Sequence, residues 1–139
     1  MESPQIFILA PFDTQGRRVA AAVREAIEEA GFSVVNSADS GADGARRVTL
    51  ILEGIRRADL IVADIGRQNP NVLYEVGFAH ALRKPTILLA DLRSDVSVPS
   101  DFVGLPYIVY DPTDLGALKE RVRAETSFIT SRRTVMIGP

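Results

Sequence analysis

The stretch Ala58-Asp59-Leu60-Ile61-Val62-Ala63-Asp64, followed by Asn69-Pro70-Asn71-Val72-Leu73-Tyr74-Glu75-Val76-Gly77-Phe78-Ala79-His80-Ala81-Leu82 and then Thr86-Ile87-Leu88-Leu89-Ala90, decides the fold. Its two outer segments are short, continuous apolar runs, the pattern of strands buried on both faces. The middle segment opens with Asn69, an N-cap residue, and Pro70, which suits the first helical position because its missing N–H would find no partner there anyway. Strand, helix and strand in this succession read as a parallel βαβ unit.

The same alternation continues on either side. Gln5-Ile6-Phe7-Ile8-Leu9-Ala10, closed by Pro11, reads as a first strand. A helix follows, with Val19, Val23, Ala26, Ile27 and Ala30 on one stripe, Thr14 as the expected N-cap and Gly31 as the residue after its end. Phe32 to Val35 is a second short strand, 36–44 a polar loop, and Val48, Ile51, Leu52 and Ile55 recur at helical spacing. After the fourth strand comes a polar loop from Asp91 to Gly104, then a fifth strand, Tyr107 to Tyr110, and a last helix to about Glu125. The reading is a three-layer flavodoxin-like α/β fold, with a five-stranded parallel sheet of order 2-1-3-4-5 and helices on both faces. Residues 1–126 form this domain and 127–139 a C-terminal tail or linker.

Composition narrows the chemistry. The chain has 139 residues, 46% of them apolar, and a formal net charge of −2, which argues against a nucleic-acid partner. With no cysteine and one histidine, it is poorly equipped for thiolate catalysis, a multi-histidine metal site or a Ser-His-Asp triad. No apolar run approaches the roughly 18 residues of a membrane span, so a cytoplasmic location without a membrane partner is expected.

In open parallel sheets, ligands sit beyond the carboxyl ends of the strands, at the switch point between strands one and three. Pro11, Phe12, Asp13, Asp64, Arg67, Asn69 and Asn71 are expected there. Neither a Gly-x-Gly-x-x-Gly fingerprint nor a phosphate-binding Walker loop follows strand one. From Val72 to Leu82 only Glu75 and His80 are ionisable, so the helix is expected to be buried on most sides, with Gly77 allowing close approach of a neighbouring backbone. A carboxylate in that setting must be paired, neutral or in use. His80 lies about 140° around the helix from Glu75 and reads as a partly buried helix residue. Asp59 reads as a turn residue, while Asp13 and Asp64 fit either capping or a ligand hydroxyl. Arg67 fits either a phosphate contact or a solvated turn, and Phe12 either a stacking wall or packing beneath its loop.

Three of these segments, Ile6 to Phe12, Ala58 to Asp64, and Asn69 to Leu82 running into Lys84-Pro85, resemble the superfamily that joins nucleoside 2-deoxyribosyltransferases with TIR and TIR-like domains. The resemblance implies that Glu75 works at the anomeric carbon of an N-glycoside; beside it, Asp64 and Asn71 are expected to orient ribose, Phe12 to stack and Arg67 to meet a diphosphate. Ile8 stands where the transferases usually carry tyrosine, and no asparagine follows Asn71 to match their C-terminal one. The expected activity is therefore cleavage of NAD⁺ at its nicotinamide–ribose bond, as in TIR enzymes, with NAD⁺ as substrate and no cofactor. A nucleoside or nucleotide deoxyribosyltransferase or hydrolase is the alternative, and a non-catalytic nucleotide-sensing or self-associating signalling module is the reading from another class. The resemblance also implies a homo-oligomer and allows a fused or associated sensor domain.

Overall fold

In the computed structural model, residues 3–35, 44–66, 69–94 and 104–137 are described. The elements are β1 (Gln5–Leu9), α1 (Thr14–Glu29), β2 (Ser33–Val34), α2 (Gly44–Arg57), β3 (Leu60–Asp64), α3 (Pro70–Ala81), β4 (Thr86–Asp91), β5 (Tyr107–Tyr110) and α4 (Leu115–Ile137). The five strands form one parallel sheet of order β2-β1-β3-β4-β5, as the sequence pattern implies.

The two central strands are buried along their whole length because helices cover both faces. On one face Phe7, Leu9, Ile61, Ala63 and Leu88 pack with Ile51 and Ile55 of α2 and with Val72, Val76 and Ala79 of α3. The alternate residues, Ile6, Leu60, Val62, Ile87, Leu89 and Ile108, point the other way onto Val19, Val23 and Ile27 of α1 and Leu118 and Val122 of α4. This period of two follows from the pleat and splits each strand between two cores. β5 lies at the sheet edge, with Ile108 and Tyr110 buried and Tyr107 and Val109 exposed.

Four local expectations change. The cap of α1 is Asp13 rather than Thr14: its Oδ1 accepts the Gly16 N–H at 2.7 Å, and Thr14 is the first helical residue. In α3 only Val72, Val76 and Ala79 are buried, while Tyr74 is 64% exposed, because this helix packs on the sheet by a single stripe. Gly77 serves no close approach, since a Cβ built on it has nothing within 4 Å. The last helix passes Glu125 and runs to Ile137; residues 126–137 contain neither glycine nor proline to stop it. At the opposite end of the sheet from the expected crevice, Lys84 Nζ donates to the carbonyls of Arg56 and Ala58 at 2.8 Å each, satisfying acceptors left open where α2 ends.

Candidate active site

Two helix starts meet at the carboxyl edge of the sheet. β1 and β3 are hydrogen-bonded neighbours, so the turns leaving them bring the first residues of α1 and α3 side by side. At α1, Gly16 is required because a Cβ there would stand 2.1 Å from the Pro11 carbonyl oxygen; its absence lets the first helical turn close against the end of β1. At α3, Asn69 Oδ1 accepts from the backbone N–H groups of Asn71 (2.9 Å) and Val72 (3.2 Å). Between these turns lies a cavity of about 250 Å³ lined by Ala10, Pro11, Phe12, Asp13, Asn69, Asn71, Val72 and Glu75. A second cavity of about 270 Å³ continues from it toward β2, sharing Ala10, Pro11, Phe12 and Glu75 and adding Arg17, Ala20, Ala21 and Arg24 from α1, Val34 and Val35 at the end of β2, and Ile51 from α2.

Glu75 stands at the junction of the two. Its side chain projects from the second turn of α3, half-buried, and among the described residues no N–H group or cation pairs with it. Burial alone acts on its carboxyl and raises its pKa from 4.5 to about 7. Phe12, 44% exposed, forms a wall common to both cavities, and the Arg47 guanidinium of α2 lies 4.8 Å from its ring centroid, within cation–π range.

Asp64 belongs to a different structure. It is 2% exposed and lines neither cavity; its Oδ1 accepts the Tyr110 hydroxyl at 2.9 Å and the Gly66 N–H at 3.0 Å. Beside it Asp91 accepts Gln15 Nε2 at Oδ2 and the Arg93 N–H at Oδ1, both at 2.8 Å. Gly66 fits between these groups only because it lacks a side chain: a Cβ would come within 2.9 Å of Tyr110 Oη and 2.8 Å of Asp64 Oδ1. Burial, and then the adjacent Asp64 carboxylate, push the Tyr110 hydroxyl's pKa well up, so it remains a proton donor.

Of the residues expected in the crevice, Pro11, Phe12, Asp13, Asn69, Asn71 and Glu75 come together around one cavity, with Asp13 and Asn69 also acting as helix caps. Asp64 sits behind it in the polar cluster, and Arg67 lies outside the described residues. His80 is exposed on the last turn of α3 and lines neither cavity, while Asp59 Oδ2 accepts the Gln5 N–H at 2.8 Å, a structural tie between the starts of β1 and β3. Sequence reasoning missed Arg17, Ala20, Ala21 and Arg24, none of which falls on the apolar stripe of α1. Their spacing of i, i+3, i+4 and i+7 already marks a second stripe. Among the described residues no group of three His, Asp or Glu side chains is arranged to hold a metal ion, and no helix is long and apolar enough to cross a membrane.

The fold defines a class, a flavodoxin-like parallel sheet with a carboxylate-bearing crevice at its switch point. No family model and no curated protein sequence matches the chain. Solved structures do. The chain resembles the CMP N-glycosidase BcmB of Clostridium botulinum, at 22% identity over 84% of this chain and 98% of that one, with a TM-score of 0.65. It resembles BlsM at 20% identity over 99% and 96% of the two chains, with a TM-score of 0.76. The 2-deoxyribosyltransferase of Bacillus psychrosaccharolyticus is similar at 17% identity over 83% and 90%, with a TM-score of 0.60. The transferase side of the resemblance read in the sequence thus finds its counterpart in fold; the TIR-like side has none among these three structures.

Proposed function

We propose that this protein cleaves the N-glycosidic bond of a nucleoside or nucleotide by hydrolysis, with Glu75 acting at the anomeric carbon. The observation that carries this reading is an unpartnered, half-buried carboxylate at the junction of two cavities. Breaking a C1′–N bond builds positive charge on the sugar, and a carboxylate held close to it stabilises that charge or traps it covalently. Desolvation makes the interaction stronger than it would be in water. The cavity between the helix caps, with Asp13, Asn69 and Asn71, suits a hydroxylated sugar, and Phe12 offers a face on which a base stacks.

The fold-level likeness to a CMP N-glycosidase and a 2-deoxyribosyltransferase supports nucleosides and nucleotides over NAD⁺, so the alternative drawn from the sequence displaces its first choice. Transfer of the sugar to a second base is the other outcome of the same chemistry, and an added acceptor base distinguishes the two. The test is to incubate the purified protein with ribonucleosides, 2′-deoxyribonucleosides, their 5′-monophosphates and NAD⁺, and to follow free base by chromatography, with and without an added acceptor base. Base release that is lost in Glu75→Gln is the expected result. A wild-type protein that releases no base from any of these substrates overturns the proposal.

A further inference from the structure

The cavity along α1 raises a question that the proposed activity leaves open: what stabilises the departing base. If Glu75 serves the sugar as a carboxylate, it has no proton to give to the base, and the one histidine of the chain, His80, is exposed and lines neither cavity. Among the described residues, the arginines that line this cavity are Arg17 and Arg24, while Arg47 lies over the Phe12 ring. Arg17 and Arg24 are seven residues apart on α1, about 10 Å along the helix. Ala20 and Ala21 lie between them as a floor of two methyl groups, and Phe12, Val34, Val35 and Ile51 close an apolar slot around it. Among the described residues neither guanidinium has a carboxylate or carbonyl partner, so both are available to a ligand.

Resting on the function proposed above, we infer that this slot is the leaving-base pocket and that it selects bases departing as carbonyl-stabilised anions, of the uracil, thymine, cytosine or hypoxanthine type, over adenine, which has no carbonyl oxygen. A guanidinium carries donors only and stays charged at any working pH, so it rewards a carbonyl oxygen on which charge collects and offers nothing to the exocyclic amine that adenine carries in its place. The C1′–N bond breaks with its electron pair passing to the base, where it spreads onto carbonyl oxygens beside Arg17 and Arg24. The oxygen of a water molecule bonds to C1′, one of that water's protons ends on the released base, and Glu75 returns to its starting state.

The experiment compares kcat/KM on uridine, inosine, cytidine and adenosine, in whichever sugar and phosphate series the protein turns over, and on p-nitrophenyl riboside, whose leaving group departs without assistance. Wild type is expected to favour uridine, cytidine and inosine over adenosine about tenfold or more. Arg17→Met and Arg24→Met, checked for folding by circular dichroism, are each expected to lower turnover of those three substrates by about 10- to 100-fold, the weight of one hydrogen bond to a charged group. The loss on p-nitrophenyl riboside is expected to be markedly smaller. Equal rates on adenosine and on the carbonyl-bearing substrates, or the same loss on every substrate, overturn the inference while leaving the glycosidase reading intact. No cleavage of any substrate, the nitrophenyl riboside included, overturns both.

Discussion

Two carboxylates at the same edge of the sheet have opposite surroundings. Asp64 is almost fully buried and accepts hydrogen bonds from Tyr110 and Gly66, while Glu75, only half-buried, has no donor among the described residues and a pKa raised to about 7. A buried acid that is satisfied by its neighbours contributes to folding; one held unsatisfied beside a cavity costs stability, and its retention points to use. In the sequence the two look alike, since both end or follow an apolar run, and only their partners tell them apart.

The largest effect expected from breaking this contrast is on catalysis. Glu75→Gln should lower base release on the order of 10²–10³-fold or more while leaving a folded protein. The pH profile sharpens the same point: because the carboxylate form is the working one, kcat/KM should rise with pH through a midpoint near 7, following the raised pKa. A profile that falls through that midpoint would reassign Glu75 as a proton donor.

On the other side of the comparison, Tyr110→Phe removes the hydroxyl that bonds Asp64 and should cost about 1–3 kcal/mol in urea unfolding. A cost no larger than that of an ordinary surface substitution would show that the Tyr110–Asp64 bond does not support the fold. Glu75→Gln should move stability in the opposite direction. The native state holds the Glu75 proton up to about pH 7 and the unfolded chain only to about 4.5, so its contribution is fully present below 4.5 and is lost as pH rises through 7. The variant should therefore melt above wild type at pH 8, and the gap should close toward pH 4.5. The smallest effect concerns the helix that carries Glu75: Gly77→Ala, with open space around the new methyl group, should stabilise by up to about 1 kcal/mol in the same unfolding assay.

Much of the molecule is legible in its sequence. The apolar runs of β1, β3, β4 and β5 and the Asn69-Pro70 helix start announce the sheet order, and the topology then brings Pro11, Phe12, Asp13, Asn69, Asn71 and Glu75 to one crevice. The misreadings share a cause. An expectation that α3 is buried all round treats composition as though it were packing, when one stripe meets the sheet and Tyr74 faces outward. For Asp64 the sequence leaves a ligand hydroxyl and a turn cap equally open; the bond from Gly66 is the cap, while its other partner, Tyr110, lies 46 residues away on a strand that local pattern cannot align. Arg17 and Arg24 are missed because nothing local to α1 shows that a cavity opens beside it where β2 is only two residues long.

The order of residues was enough to determine which segments become strands and helices, and that a single acid rides on the helix leaving the third strand. Hydrophobic periodicity and capping are short-range and are written in neighbouring letters. Whether that acid would be satisfied, solvated or left facing a hollow was decided only in three dimensions. Desolvation and hydrogen bonding depend on groups brought together from distant parts of the chain, and those meetings exist only once the sheet has formed.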